Sequence, residues 1–194
     1  LVLLLGNQDA ETTAIPMIMV SSDPRSPKLG SHCLVEARHL PTQIGTIDRW
    51  HANRIAAGVP EGSVDLTPER ALMLEAGLDW LGAVDFEKGC YVGQEVTART
   101  HYRGLVKRRL VPLTIAGDPP AIDSDIMWQG TAIGKSKTAA ALNVPITGTH
   151  GQMDAKSICL ALLKLNDLNN ILDTPANDDG LMINGHAARL ALAD

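Results

Sequence analysis

Aromatic residues make up only 3% of this chain, cysteines number three, and no apolar run approaches the length of a membrane span. Each scarcity excludes something. The opening apolar run, Leu1 to Leu5, falls far short of the roughly 20 residues a bilayer-spanning helix needs, and no basic stretch precedes it as in a secretory leader. Cys33, Cys90 and Cys159 lie far apart with no C-x-x-C pair. Neither a disulfide framework nor a self-contained zinc or iron–sulfur cage is therefore expected, and a reducing compartment is. The six histidines are scattered without an H-x-x-x-H pair, so no resident metal site is expected. Positive charge is short too: 17 Lys and Arg against 22 Asp and Glu give a net charge of -5. That balance argues against attachment to nucleic acid or an anionic membrane, which draws on clustered cations.

What is present reads as a globular chain: 194 residues, 45% hydrophobic, 20% charged, with mean hydropathy near zero. It opens on Leu1 in what reads as mid-strand, so further sequence is expected upstream. Leu1 to Leu5 and Ala14 to Val20 read as buried strands, joined by the turn-rich Asp23–Gly30 to a third strand over His32 to Arg38. Within Ile44 to Ala57, apolar Ile44, Ile47, Trp50, Ala52 and Ile55 recur at helical spacing, and Gly58 and Pro60 supply a stop. Thr67-Pro68 could open a short helix, with the segment beyond Leu72 either helical or extended. A better-marked helix starts near Gly93 and runs to about Tyr102, with Gly104 suited to a left-handed end.

After Gly104 the texture changes. Lys107 to Ala116, Ile126 to Trp128, Thr131 to Ala139 and Ser157 to Leu165 are short β-compatible runs separated by Gly, Pro, Asp and Asn, which suggests a small all-β sandwich or barrel. Ala141 to Asp154 and Asn166 to Asp179 read as loops. The expected class is α+β, with residues 1–106 forming an α+β region and residues 107–194 a small C-terminal β-barrel.

The densest chemistry lies between Arg70 and Arg109. In Lys88-Gly89-Cys90-Tyr91-Val92-Gly93-Gln94-Glu95 two glycines flank a cysteine ahead of a helix, a setting where Lys88 and the helix end favour a thiolate. Two readings of Cys90 stand, a reactive or ligating thiol and a small buried hydrophobe. Arg99 to Arg109 carries five of the 17 Lys and Arg residues, suited either to gripping a polyanion or to closing a helix C-terminus. Glu75, a carboxylate among Leu72, Met73, Leu74 and Leu78, needs a partner, which is either a ligand's amide-like edge or Arg70.

The stretch Lys88 to Glu95 resembles the K-G-C-[FY]-x-G-Q-E signature of the YgfZ-type folate-binding proteins, relatives of the glycine-cleavage aminomethyltransferase (a GcvT/YgfZ-like group). Ser22-Asp23-Pro24-Arg25, Arg54 to Gly62 and Leu74-Glu75-Ala76-Gly77-Leu78 are similar to that family in the same order, so the resemblance covers about residues 22 to 140. It implies a tetrahydrofolate-binding α+β region followed by a β-barrel, and a role in assembling or repairing iron–sulfur clusters in client enzymes. Cys90 then matches the signature thiol and Glu75 the carboxylate at the pterin edge. Arg99, Lys88, Tyr91 and Gln94 become candidate folate contacts. The expected partners are folate and iron–sulfur client or assembly proteins, in the cytoplasm or, in a eukaryote, the mitochondrial matrix. The family's N-terminal part, which supplies the catalytic aspartate of aminomethyl transfer, is not in this sequence, so turnover is not assigned. A folate-dependent one-carbon transferase is the second reading.

Overall fold

The computed structural model describes residues 15–40, 45–142, 155–174 and 180–191, and the backbone of residues 2–6. Three strands form an antiparallel sheet in the order β1-β3-β2: β1 (Val2–Gly6), β2 (Met17–Ser22) and β3 (Ser31–Val35). Central β3 pairs Cys33 with Leu4 on one side and Val20 on the other, and its Cys33 and Val35 are buried. Edge strand β2 departs from the expected buried strand: Ile18, Met19 and Val20 are 56%, 54% and 51% exposed. An apolar run shows that a strand can be covered, not that it is. The expected third strand also stops early, because Ala37–His39 close a 3-10 turn instead of extending to Arg38. The side chains of Leu1 to Leu5 lie outside the described residues.

Helix α1 (Ile47–Ala56) starts where the Thr46 side chain accepts the Arg49 N–H at 3.3 Å. It ends at Gly58, whose positive φ of 69° lets its N–H turn back to the Ile55 carbonyl at 2.9 Å. Ala52 and Ile55 are buried, but Ile47, expected on the same stripe, is 66% exposed, and Ile44 lies outside the described residues. A one-turn helix, α2 (Gly62–Asp65), follows. Residues 67–83 form neither helix nor strand but consecutive turns, among them Ala71 N–H to Thr67 O, Ala76 N–H to Leu72 O and Ala83 N–H to Leu78 O. Helix α3 (Glu95–Tyr102) is closed as expected by Gly104 at φ 61°, with Leu105 N–H reaching back to Thr100 O at 2.9 Å.

The remaining strands are β4 (Arg108–Ile115), β5 (Asp125–Trp128), β6 (Thr131–Ala141), β7 (Ser157–Lys164), β8 (Leu181–Ile183) and β9 (His186–Leu190). They close a barrel in the order β4-β7-β6-β5-β8-β9. Its interior is filled by side chains such as Val111, Leu113, Ile115, Ile126, Cys159 and Leu163, each contributing on the order of 1–3 kcal/mol by leaving water. Alternate residues of the same strands, Leu110, Ile158 and Leu160, face outward and bury Ala52 and Ile55 of α1. At Gly134 on β6 a Cβ would meet the Leu162 carbonyl oxygen at 2.5 Å, so the β6–β7 approach demands glycine. The stretch Asn166 to Asp179 is not all loop: α4 (Leu165–Leu172) runs on from β7 and buries Leu168 and Ile171 against the barrel. Its Asn and Asp residues occupy the outward positions, which hides the apolar stripe in composition. Residues 143–154 and 175–179, both expected in loops, lie outside the described residues.

Candidate functional site

The Cys90 loop is held at three points. Asp85 Oδ1 accepts the N–H groups of Glu87 at 2.8 Å and Lys88 at 3.2 Å, which fixes the entering turn. Phe86 stacks on His101 of α3 with centroids 3.6 Å apart and meets Tyr102 edge-on at 6.4 Å. At the exit Tyr91 N–H donates to Gln94 Oε1 at 3.1 Å, and Gly93 takes a φ of 91° that lets the chain turn into α3. Between these anchors Lys88 Nζ sits 5.1 Å from the Tyr91 ring centroid, a cation–π contact that flanks the thiol.

Cys90 itself is exposed, whereas Cys33 and Cys159 are buried. Burial pushes the Cys159 thiol up to about 12, so it takes no part in thiolate chemistry near neutral pH. Of the two readings of Cys90, the small buried hydrophobe is therefore wrong for its placement. The helix-end argument for a thiolate is weakened as well. Helix α3 starts at Glu95, more than a turn beyond Cys90, and carries that residue's carboxylate in its first turn; a helix-dipole effect fades within one turn.

Glu75 lies elsewhere. Its backbone carbonyl accepts the Leu110 N–H at 2.8 Å, so the 72–80 turns run along the first residues of β4, ahead of the Leu113–Ile115 stretch that pairs with β9. Arg109 fastens the same turns: its Nη1 donates to the Leu74 carbonyl and, at 2.8 Å, to Asp79 Oδ1, and its guanidinium lies 4.0 Å over the Trp80 ring. One member of the basic cluster is thus a buried fastener rather than a surface cation. Glu75, partly buried, lines a cleft of about 490 Å³ between residues 65–76 and the outer face of β4, β7 and β6. That volume suits a small organic ligand. Arg70 lines the same cleft, and no ion pair joins it to Glu75 among the described residues.

The structure therefore gathers Lys88, Cys90, Tyr91 and Gln94 into one loop and puts Glu75 in a separate cleft that none of them lines. Arg99 lies on α3, 3.9 Å from Glu95 as an i,i+4 pair, and does not reach the cleft either. The Gln94 side-chain oxygen is already used by the loop.

Two polar networks carry no signal in local periodicity. Asp65 accepts from Arg54 Nη1 at 2.9 Å, Glu61 N–H at 2.8 Å, and the Thr138 N–H and hydroxyl at 2.8 and 2.6 Å, which ties α1 and α2 to β6. Arg54 also reaches Glu61 at 2.8 Å and the Val59 carbonyl at 3.0 Å. Near β2, Asp23 is gripped by Arg25 at 2.7 Å and His32 at 2.9 Å, and chiefly the Arg25 hydrogen bonds hold its carboxyl well below the usual carboxylate range. Their only sequence signal is that both sit in stretches resembling the folate-binding family. Among the described residues no three His, Cys, Asp or Glu side chains are grouped to hold a metal ion, and no helix is long and apolar enough to cross a membrane.

No family model matches the chain. Curated proteins do. It is 43% identical over 121 residues to a protein of Mycosarcoma maydis named "Iron-sulfur cluster assembly factor IBA57 homolog, mitochondrial", covering 58% of this chain and 30% of that one. It is 41% identical over 107 residues to the mouse "Iron-sulfur cluster assembly factor IBA57, mitochondrial", covering 53% and 30%, and 42% identical over 95 residues to the human protein of that name, covering 47% and 27%. The chain thus spans about 30% of the length of the curated relatives it matches. Its homologues are iron–sulfur cluster assembly factors of mitochondria, in line with the eukaryotic branch of the expected localisation and not with the cytoplasmic one.

Proposed function

We propose that this chain is the part of a mitochondrial iron–sulfur cluster assembly factor of the GcvT/YgfZ-like folate-binding group that carries its working thiol, Cys90, and one wall of a folate-binding cleft at Glu75. The observation that carries this reading is that the one exposed thiol of the three stands in the Lys88–Glu95 stretch of a chain similar to such factors. A thiolate at Cys90 can ligate one iron of a cluster in transit, and the remaining ligands come from a partner chain or a small thiol, since iron in such clusters takes four. The three anchors of the loop hold the sulfur out in solvent, where a partner's cluster can reach it.

Glu75 fits folate to a limited extent. Its carboxylate would accept the N–H donors of a pterin edge inside a cleft of suitable size. Folate bound there supplies one-carbon and redox chemistry. Because Cys90 does not line that cleft, folate and thiol act at separate places, and folate serves as an effector or stabiliser of the fold rather than a reactant at sulfur. Lys88, Tyr91, Gln94 and Arg99 are assigned to the thiol loop and α3, not to the folate.

The tests are replacement of the full-length protein in cells lacking it by Cys90→Ser, with activities of mitochondrial iron–sulfur enzymes as readout, and calorimetric titration of tetrahydrofolate into the purified full-length protein and its Glu75→Ala variant. Cys90→Ser is expected to leave those activities near the deletion level and Glu75→Ala to lower folate affinity about tenfold or more. Wild-type enzyme activities with Cys90→Ser would refute the reading.

A further inference from the structure

Arg108 of β4 and Lys164 of β7 stand directly opposite each other in the antiparallel register, so their side chains leave the same outer face of the barrel. Like charges in that position repel, and neither is paired with a carboxylate among the described residues. Both line the 490 Å³ cleft, and Arg70 enters it from the other wall. Lys164 Nζ is steadied at 3.1 Å by the Ala132 carbonyl. The other charges of the cleft are largely matched: Lys135 pairs with Asp125 at 2.8 Å, Lys137 with Asp123 at 2.9 Å, and Asp65 with Arg54 at 2.9 Å. Among the described residues Arg70, Arg108 and Lys164 have no such acidic partner, and Glu75 is the one carboxylate left to oppose them. Five cations and four carboxylates line the cleft, an excess of one positive charge in a protein whose net charge is -5.

We propose that this cleft holds a phosphate site, taking a phosphate monoester or inorganic phosphate on Arg108, Lys164 and Arg70. A phosphate suits the three cations left without an acidic partner, since its oxygens can accept from two guanidinium groups and one ammonium at once. The cleft has room for an organic remainder beyond the phosphate. The assignment does not depend on folate binding or on Cys90. It also explains the unrelieved Arg108–Lys164 pair, since the ligand removes the repulsion.

The test is isothermal titration calorimetry on the full-length protein with inorganic phosphate, adenosine monophosphate and succinate as probes, together with thermal unfolding. Phosphate or the monoester is expected to bind more tightly than succinate, and the tighter of the two identifies the source. Arg108→Gln and Lys164→Gln should each weaken that binding about tenfold, while Glu75→Gln should strengthen it. Since loss of the Glu75 carboxylate is expected to weaken folate but to strengthen phosphate, the two readings fail separately. Without ligand, Arg108→Gln should raise Tm by about 1–3 °C through lost repulsion, and phosphate should stabilise the wild type but not the variant. Undetectable binding of both phosphate probes, preference for succinate, or binding unaffected by both Gln variants would overturn the proposal.

Discussion

In the barrel, six strands close on side chains such as Val111, Leu113, Ile115 and Cys159 that have no exposed surface, whereas between Trp80 and Lys107 no residue is buried at all. The first region owes its shape to packing. The second owes it to a few local contacts, namely the Asp85 turn, the Phe86–His101 stack and the Gln94 bond. The two thiols follow suit: Cys159 is sealed and hard to ionise, while Cys90 stands in solvent. Substitutions should accordingly divide into those that unfold the protein and those that silence it while it stays folded.

The largest loss of stability is expected at the joint between α1 and the barrel. Asp65→Ala removes the buried one of the two carboxylates that Arg54, 1% exposed, is paired with, together with the bonds from Thr138, and should cost about 3–5 kcal/mol in chemical denaturation. Close to it, Leu113→Ala in the barrel interior should cost about 2–5 kcal/mol, depending on how far β7 and β9 relax into the space. A smaller effect is tied to pH. Because Asp23 has a depressed carboxyl in the folded state, its contribution is complete above the unfolded value of about 4 and is lost as pH falls below it. The stability gap between wild type and Asp23→Asn should therefore shrink from about pH 5 downward, and a constant gap would show that Asp23 has no such role. The smallest effect belongs to the loop: Cys90→Ser should change stability by less than about 0.5 kcal/mol. Under native conditions a thiol reagent should label Cys90 quickly and Cys33 and Cys159 only on unfolding. Rapid labelling of all three would erase the contrast.

What was legible in the sequence followed from local chemistry. Gly58 marked the end of α1, Gly104 the end of α3, and short β runs split by turn residues the barrel. What was hidden depends on partners distant in sequence. The 67–83 turns have no periodicity because their order comes from Arg109 and Leu110 on β4. Helix α4 was masked because Asn and Asp fill its solvent face, and the exposure of Ile18 to Val20 cannot be read from an apolar run. At the candidate site the motif pointed to Cys90 and Glu75, but not to their separation. Nor could it show that Arg109, within the basic cluster, is committed to Trp80 and Asp79.

The central claim, that the exposed loop thiol does the work while the barrel carries it, is tested most directly by cluster transfer in vitro. Full-length protein alkylated at Cys90 under native conditions is compared with untreated protein for delivery of a cluster to an apo client enzyme. The account predicts that alkylation abolishes delivery while the unfolding midpoint is unchanged; delivery at the untreated rate would contradict it.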